Sequence, residues 1–316
     1  MKKITVIGGG SGIFNTLKGL KDYPVDLTSI VTTFDNGGSS GELRDEFGTL
    51  PPGDLRRSLV ALSPETENQI LRELFGYRFA TNSSLKGHNF GNLLLSALND
   101  ITGSEIAAIK KAGEILNIKG RVLPVSVDQA EVCAELADGT VIRGETNIDI
   151  PKHDGSLRIK KLYLDPPAII YRESYEAILD ADVIVIGPGD LYSSILPNLL
   201  VKQAAETLRE TRGRLVYIPN LMSKWGETHG FNSSDLVREL LGYLDMEKID
   251  HVICNNRSLD KNLLDKYDRE RSYPIEVDRQ KLSSWVGKVT EADILWQSDI
   301  IRHDAGKLAR VIMDIV

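Results

Sequence analysis

The sequence predicts an α/β protein with a mostly parallel sheet that is covered by helices on both faces. Two observations support this class. Short apolar runs without polar alternation end at glycine, for example residues 3–7 before Gly8 and residues 182–186 before Gly187. Segments with helical spacing separate these runs, as in chains where strands and helices alternate. A length of 316 residues suits one large domain or two small ones.

The first part of the chain supplies two strands and then several helices. Residues 3–7 are predicted to form a strand, a glycine loop follows, and a helical stretch runs to Leu20. Residues 27–33 form the second predicted strand, which ends at another glycine-rich turn. Between about residues 50 and 116, apolar residues recur at helical spacing in three segments, namely 54–62, 65–75 and 104–116.

A β-rich insertion is predicted for residues of approximately 120–165. Residues 132–137 and 140–142 are joined by Asp138-Gly139, which supplies the positive φ angles of a two-residue hairpin turn. The strand pattern then returns at 182–186, 214–219 and 250–254. Residues 304–316 are expected to end the domain as a helix.

Composition and charge exclude several classes of protein. The net charge of −7 argues against a nucleic-acid binder, which needs a basic face to displace counterions. Cys133 and Cys254 form no Cys-x-x-Cys pair, so a zinc ribbon and a disulfide scaffold are excluded. No run approaches the roughly 18 apolar residues of a membrane span, and the opening apolar run is too short for a signal peptide. We therefore expect a cytoplasmic protein without a membrane span.

The loop Gly8-Gly9-Gly10-Ser11-Gly12 is the first candidate binding site. It follows a strand and precedes a helix, so the backbone can approach a phosphate and the free N–H groups of the helix point at it. The dinucleotide fingerprint fails because Ile13 stands where its third glycine belongs, which makes NAD-dependent redox chemistry a poor interpretation. Phosphate or nucleotide binding is expected, and a tight turn without a ligand is the alternative.

The run Asp35-Asn36-Gly37-Gly38-Ser39-Ser40-Gly41 is the second candidate site. Two glycine loops on neighbouring strands of a parallel sheet would face one crevice at the carboxyl ends of the strands. Asp35 is a candidate to hold a ribose, or to hold Mg²⁺ together with waters and phosphate oxygens. Gly38, Ser39 and Ser40 favour a crowded anion site, and a solvated turn is the alternative.

Further polar residues are predicted to contact a ligand. Arg56 stands in the first turn of a predicted helix, where the helix dipole disfavours a cation, so an acidic partner such as a phosphate is expected. His88, Asn89 and Asn92 lie among glycines at another predicted helix N-terminus. General acid–base chemistry by His88 has no visible partner in the sequence. A structural or merely exposed role is the alternative for His88.

Two later regions also contain candidate ligand contacts. Gly187-Pro188-Gly189-Asp190 follows the clearest buried strand, and Asn220 follows another. An aromatic side chain and an arginine together are able to clamp a nucleobase and a diphosphate, and Tyr267 and Arg302 are the candidates. A stiff turn for the glycines and simple packing for Tyr267 are the alternatives.

The ordered set of motifs resembles the bacterial gluconeogenesis factor (YvcK-like) proteins over essentially the whole chain. The motifs that carry the resemblance are Ile7-Gly8-Gly9-Gly10-Ser11-Gly12, Gly37-Gly38-Ser39-Ser40-Gly41, Pro51-Pro52-Gly53-Asp54-Leu55-Arg56, Gly87-His88-Asn89-Phe90-Gly91-Asn92, Gly187-Pro188-Gly189-Asp190-Leu191-Tyr192, Gly226-Glu227-Thr228 and Arg302-His303. The resemblance implies a single Rossmann-like three-layer sandwich over residues 1–316. That family is related to the 2-phospho-L-lactate transferases (CofD-like), which use a guanosine-diphosphate donor and Mg²⁺.

The same resemblance implies a function. Members of the gluconeogenesis factor family resemble binders of UDP-sugars, notably UDP-N-acetylglucosamine. They are associated with growth on gluconeogenic carbon sources, with cell shape and with cell-wall synthesis. Tyr267 and Arg302 then match contacts to the nucleotide sugar. The partners considered are a nucleotide-sugar ligand, a cell-wall regulatory protein and a second copy of the chain in a homodimer. No settled catalytic activity comes with this branch.

Two functions therefore stay open. The first is a nucleotide-sugar-binding regulator, and the alternative is a Mg²⁺-dependent transferase in which Asp35 holds the metal. The sequence departs from the family pattern at three places. Asn36 replaces an Asp, Arg57-Ser58 replaces Asn-Val, and Ser223-Lys224-Trp225 replaces Thr-Gln-x. The loss of a carboxylate at Asn36 weakens a Mg²⁺ site.

Overall fold

The computed structural model describes residues 1–66, 69–80 and 84–316 of the chain. Its strands alternate with helices in the first and last parts of the chain and cluster together in the middle. In chain order, the strands of the described residues are β1 (Lys2–Gly8), β2 (Val25–Val31), β3 (Arg121–Pro124), β4 (Glu131–Leu136), β5 (Val141–Arg143), β6 (Ile159–Asp165), β7 (Val183–Ile186), β8 (Arg214–Tyr217), β9 (Ile249–Asn255), β10 (Val286–Ala292), β11 (Leu295–Gln297) and β12 (Ile301–His303).

The helices lie mainly between the strands of the central sheet. In chain order they are α1 (Gly10–Leu20), α2 (Gly38–Phe47), α3 (Pro52–Leu62), α4 (Gln69–Gly76), α5 (Phe90–Thr102), α6 (Glu105–Leu116), α7 (Glu145–Asp149), α8 (Arg172–Leu179), α9 (Leu196–Leu199), α10 (Ala204–Glu210), α11 (Ser233–Leu244), α12 (Lys261–Asp268), α13 (Arg279–Leu282) and α14 (Ala305–Met313). A π-helix spans Leu191–Ile195 just before α9. No helix in the described ranges is long and apolar enough to cross a membrane.

The predicted parallel sheet is confirmed. Seven strands pair in the order β10-β9-β8-β7-β1-β2-β3, and every neighbouring pair is parallel. The chain moves outward from β1 to β3 and then returns to β7 on the other side of β1. Ligands of open α/β sheets bind outside the carboxyl ends of the strands at such a point. A ligand site is therefore expected at the loops that follow β1 and β7.

Strand β7 illustrates why the apolar runs predicted this sheet. Ile184 and Ile186 point into one core, which also contains residues of α8, α10 and α11. Val183 and Val185 point into the second core, with residues of α1, α3 and α14. A strand that is buried on both faces has no solvent side and therefore no polar alternation. The three-layer, Rossmann-like arrangement follows from these two cores.

A separate antiparallel sheet lies within the predicted β-rich segment. Its strand order is β5-β4-β6, and the predicted hairpin joins β4 to β5. The prediction of a two-residue turn with positive φ angles was wrong, because the N–H of Leu136 donates to the carbonyl of Thr140 across three residues, of which only Gly139 has a positive φ, of +88°. Strand β3, at the start of the predicted segment, instead joins the parallel sheet beside β2. The short helix α7 connects β5 back toward the central sheet. The backbone N–H of Thr146 in α7 donates to the side chain of Asn36 at 2.9 Å, which fixes α7 beside the second glycine loop.

The helical prediction for residues 50–116 also agrees with the structure. Helices α3 and α6 coincide with the predicted segments 54–62 and 104–116 within two residues. The segment predicted at 65–75 corresponds to α4, and its residues 67 and 68 lie outside the described ranges. The second strand begins and ends two residues earlier than predicted. The final helix α14 is shorter than the predicted 304–316.

Candidate functional site

Two adjoining cavities lie at the carboxyl ends of β1 and β7. The main cavity has a volume of about 840 Å³, and the acidic cavity beside it has about 410 Å³. Both are lined by Gly10, Ser11, Asp149 and Asp190, so they form one continuous cleft. The main cavity is lined also by Gly9, Gly12, Gly189, Asn220, Lys224, Trp225, Tyr267 and Arg302. The acidic cavity is lined also by Asp35, Gly38, Asp54, Arg57 and Glu145.

The first glycine loop approaches the cleft with its backbone. Gly10 has φ of +67°, a conformation that favours glycine, and it begins α1. The N–H of Gly10 donates to the Asp54 carboxylate at 3.0 Å, so a carboxylate of the protein itself lies at the N-terminus of this helix. A Cβ at Gly9 would lie 2.5 Å from the same carboxylate. The N–H groups of Ser11 and Gly12 belong to the first turn, which has no intrahelical acceptors.

The loop after β7 packs directly against this first loop. A Cβ at Gly12 would lie 2.1 Å from the carbonyl oxygen of Pro188, so only glycine fits there. Asn220 holds the other side of the loop. Its side-chain oxygen accepts from the N–H of Gly189 at 3.0 Å, and its amide donates to Asp190 at 2.9 Å. Asn220 therefore fixes the position of the Asp190 carboxylate.

Tyr267 and Arg302 line the main cavity together with the first glycine loop. The hydroxyl of Tyr267 accepts a hydrogen bond from the N–H of Ile301 at 2.9 Å, which joins α12 to β12. Arg302, in β12, is exposed and free to reach a ligand. Trp225 lines the same cavity, and the guanidinium of Arg271 lies 4.5 Å from the centre of its ring. The main cavity thus contains aromatic and cationic side chains of the kind that contact nucleotides.

Three carboxylates meet where the two cavities join. The oxygens of Asp149, Asp190 and Glu227 lie within 4.8 Å of one another, and together they are called the carboxylate cluster below. The ammonium of Lys224 contacts all three side chains, with 2.8 Å to Asp190 and 3.2 Å to Glu227. These carboxylates raise the pKa of Lys224 against its burial, so the side chain stays charged. Burial raises the pKa of Glu227, and the neighbouring ammonium of Lys224 opposes that shift.

The wall of the acidic cavity contains two more buried carboxyl groups. Burial raises the pKa of Asp35, although its hydrogen bond from the N–H of Gly37 at 2.8 Å opposes that shift. The hydroxyl of Ser40 also hydrogen-bonds to Asp35. Burial and the neighbouring carboxylates raise the pKa of Glu145 to about 9. Glu145 is therefore neutral at pH 7, which limits the negative charge of this wall.

A second group of predicted site residues forms an internal network away from the cleft. The hydroxyl of Ser39 lies 3.4 Å from the ring of His88, and it accepts hydrogen bonds from the backbone of Asn89 and the side chain of Asn92. Arg56 donates to the side chain of Asn92 at 2.9 Å. These five residues join α2, α3 and α5, and they line neither the main nor the acidic cavity. Their direct contact with a ligand remains a prediction.

The remaining predicted residues are the glycines at the ends of the strands. The carbonyl of Gly8 accepts from the N–H of Thr32, and the N–H of Gly187 donates to the carbonyl of Ile7. Both glycines thus extend the pairing of the sheet rather than line the cleft. The structure brings together the cavity-lining members of the prediction, which are Gly9, Gly10, Ser11, Gly12, Asp35, Gly38, Gly189, Asp190, Asn220, Tyr267 and Arg302.

Sequence reasoning missed several charged residues in the lining of the cleft or in contact with it. Glu145 and Asp149 come from α7, which lies within the predicted β-rich segment, and no motif marked them. Lys224 and Glu227 lie in the loop after β8. The only signal for Lys224 was its departure from the family pattern, and Glu227 stood within the quoted motif Gly226-Glu227-Thr228.

Mg²⁺, which the family resemblance implies for one of the two functions, takes oxygen ligands around an open centre. The carboxylate cluster supplies oxygens of the right kind. The ammonium of Lys224, however, lies among all three carboxylates and repels a second cation at that point. Asp35, which the sequence analysis considers as a Mg²⁺ ligand, is not a member of this cluster. The cluster does not fit Mg²⁺ while Lys224 occupies it.

Comparisons with known proteins agree on one family. The family model described as 2-phospho-L-lactate transferase CofD matches residues 4–295. A gluconeogenesis factor of Halalkalibacterium halodurans is 41% identical over 315 residues, which are 99% of this chain and 96% of that protein. The gluconeogenesis factor of Bacillus subtilis is 39% identical over 316 residues, which are 99% of this chain and 98% of that protein. A crystal structure of a Bacillus halodurans protein superposes with a TM-score of 0.93 at 39% identity, covering 99% of each chain.

Proposed function

This chain belongs to the CofD family and, within it, to the gluconeogenesis factors, and from that premise we propose that it is a nucleotide-sugar-binding regulatory protein. The proposed ligand is a UDP-sugar, specifically UDP-N-acetylglucosamine. The proposed role is in growth on gluconeogenic carbon sources and in cell shape and cell-wall synthesis, in the cytoplasm.

The observation that carries this proposal is the lining of the main cavity. Its volume of about 840 Å³ falls within the range of roughly 300–1,000 Å³ for ligand pockets. Ser11 and Gly12 offer backbone N–H groups to phosphates. Tyr267 and Arg302, which line the same cavity, offer an aromatic ring and a cation. A ligand with a diphosphate and a ring system is complementary to this combination of groups.

Regulation requires more than binding. The ligand must have different affinities for two states of the protein that a partner can distinguish. We propose two partners from the family resemblance. One is a cell-wall regulatory protein, and the other is a second copy of this chain in a homodimer.

A transferase is the second candidate, and the description of the family model favours it. In that case Asp35 would hold Mg²⁺ beside the transferred phospho-group, and the donor would be a nucleoside diphosphate derivative. The two candidates differ in turnover and in their need for a divalent ion.

Calorimetric titration of the purified protein with UDP-N-acetylglucosamine tests the proposal. The titration is done with and without Mg²⁺, and GDP and NAD serve as competing ligands. Saturable binding that is selective for the UDP-sugar, with no product detectable by chromatography, is the expected result. Mg²⁺-dependent binding of GDP alongside no binding of UDP-sugars would refute it and place the transferase first.

A pair of arginine variants tests the site itself. Arg302→Ala removes an exposed cation from the main cavity, and Arg212→Ala removes an exposed cation elsewhere. Loss of a charge-assisted hydrogen bond lowers affinity on the order of tenfold or more. We expect that loss for Arg302→Ala and an unchanged affinity for Arg212→Ala. Equal affinities of the two variants would contradict a ligand contact at Arg302.

A further inference from the structure

Lys224 occupies an unusual position in the cleft. Its ammonium is in contact with Asp149 from α7, with Asp190 from the loop after β7, and with Glu227 from its own loop. Its side chain is 26% exposed and lines the main cavity. The three carboxylates thus converge on one cation from three separate parts of the chain.

Other groups hold the outer sides of these carboxylates in place. One oxygen of Glu227 accepts from the backbone N–H of Tyr192 at 3.1 Å, and the other accepts from the hydroxyl of Ser193 at 3.2 Å. The outer oxygen of Asp190 accepts from Asn220. Ligands that are themselves hydrogen-bonded from behind are typical of preorganised cation sites. The cluster is therefore built to surround a cation, and the cation at its centre is an amine of the protein.

We infer that Lys224 is the resident cation of the cleft and takes the place that a divalent ion would hold. This inference rests on the proposed function in one respect, namely that the ligand is an anionic nucleotide sugar. Lys224 offsets part of the negative charge of Asp149 and Asp190 on the wall that this ligand faces. Nucleotide-sugar binding then needs no divalent ion. Without Lys224, the uncompensated carboxylates repel the diphosphate, and a divalent ion gains a site.

The first experiment uses no nucleotide. Binding of Mn²⁺ to the ligand-free protein is measured by electron paramagnetic resonance for the wild type and for Lys224→Gln. Lys307→Gln is the matched control, because it breaks the ion pair of Lys307 with Asp293 at 2.8 Å and lies outside the lining of the cleft. We expect Lys224→Gln to bind one Mn²⁺ at least about tenfold more tightly than the wild type and the control.

The second experiment adds UDP-N-acetylglucosamine. The wild type is expected to bind it equally well in EDTA and in Mg²⁺. Lys224→Gln is expected to lose on the order of tenfold in affinity in EDTA and to regain it when Mg²⁺ is added. Lys224→Arg keeps the positive charge and is expected to gain no Mn²⁺ site. If Lys224→Gln does not fold, the wild-type measurements and Lys224→Arg still decide the question.

Several results would overturn the inference. One is Mn²⁺ binding by the wild type that disappears in Asp190→Asn, because the cluster would then already hold a metal. Another is a requirement of the wild type for Mg²⁺ to bind the nucleotide sugar. A third is equal Mn²⁺ affinity of Lys224→Gln and the control. If the wild type does not bind UDP-N-acetylglucosamine at all, the proposed function fails, whereas the Mn²⁺ comparison still tests the role of Lys224.

Discussion

Replacement of Glu145 by Gln is expected to stabilise the protein at neutral and alkaline pH. The pKa of Glu145 is raised from an ordinary value of 4.5 to about 9, mainly by burial and then by Asp35 and Asp149. The folded state holds the proton of Glu145 more tightly than the unfolded state. The free energy of unfolding therefore falls as the pH rises from 4.5 to 9. Gln is neutral and close to Glu in size, so it does not carry this penalty.

The magnitude follows from the two pKa values. Each pH unit above 4.5 costs about 1.4 kcal/mol, which gives about 3 kcal/mol at pH 7 if the carboxyl is fully shielded. Water reaches the partly exposed side chain from the cleft and reduces this to about 1–2 kcal/mol. The gain of Glu145→Gln should therefore be near zero at pH 4.5, about 1–2 kcal/mol at pH 7, and larger at pH 8.5.

Urea unfolding at these three pH values measures the gain in the free energy of unfolding. Glu247→Gln, at an exposed position on the surface, is the control and should change stability little at any pH. A gain for Glu145→Gln that is the same at all three pH values would refute the reasoning, because the effect would then come from packing and not from a proton. A loss of stability at pH 8.5 would refute it as well.

Three further predictions concern other parts of the cleft. Tyr267→Phe leaves the N–H of Ile301 without its acceptor, so titration should give weaker binding of the nucleotide sugar and urea unfolding a loss of about 1 kcal/mol. Gly12→Ala places a Cβ 2.1 Å from a carbonyl oxygen and should lose about 1–3 kcal/mol, whereas Gly76→Ala meets no atom within 4 Å and should not. Burial lowers the pKa of His303 to about 4 from 6.5, so its ring should stay neutral at pH 5 by NMR, and stability should fall as the pH drops from 6.5 to 4.

Buried strands were the most predictable part of the fold. Strands β1, β7, β8 and β9 contain apolar runs because both of their faces are covered. Strand β10 was missed because it lies at the edge of the sheet, where Val286 is its only fully buried residue. Its seven residues include Lys288 and Glu291 and contain no apolar run, so its sequence did not predict a place in the sheet. Pairing between distant strands, as between β3 and β2, likewise leaves no local pattern.

The site could be predicted where the strand ends determine it. The glycine loops after β1 and β7 share the cleft because their strands are neighbours in a parallel sheet. Asp149 could not be predicted, since only the folding of the insertion brings α7 to the cleft. The predicted ligand contacts at His88 and Asn92 depended on glycines near a helix N-terminus, and they stay predictions. In the structure both side chains contact the hydroxyl of Ser39, an internal partner that the glycines do not reveal in sequence.

The attachment of α7 to the second glycine loop has a consequence for how the charge of the cleft can change. The loops of the parallel sheet supply the backbone of the cleft and part of its charge, whereas α7 supplies Glu145 and Asp149, and Asn36 joins the two through Thr146. Part of the negative charge of the pocket thus comes from a helix that pairs with no strand of the sheet. Substitutions in α7 are therefore expected to change the charge that faces a ligand while the pairing of the parallel sheet stays intact.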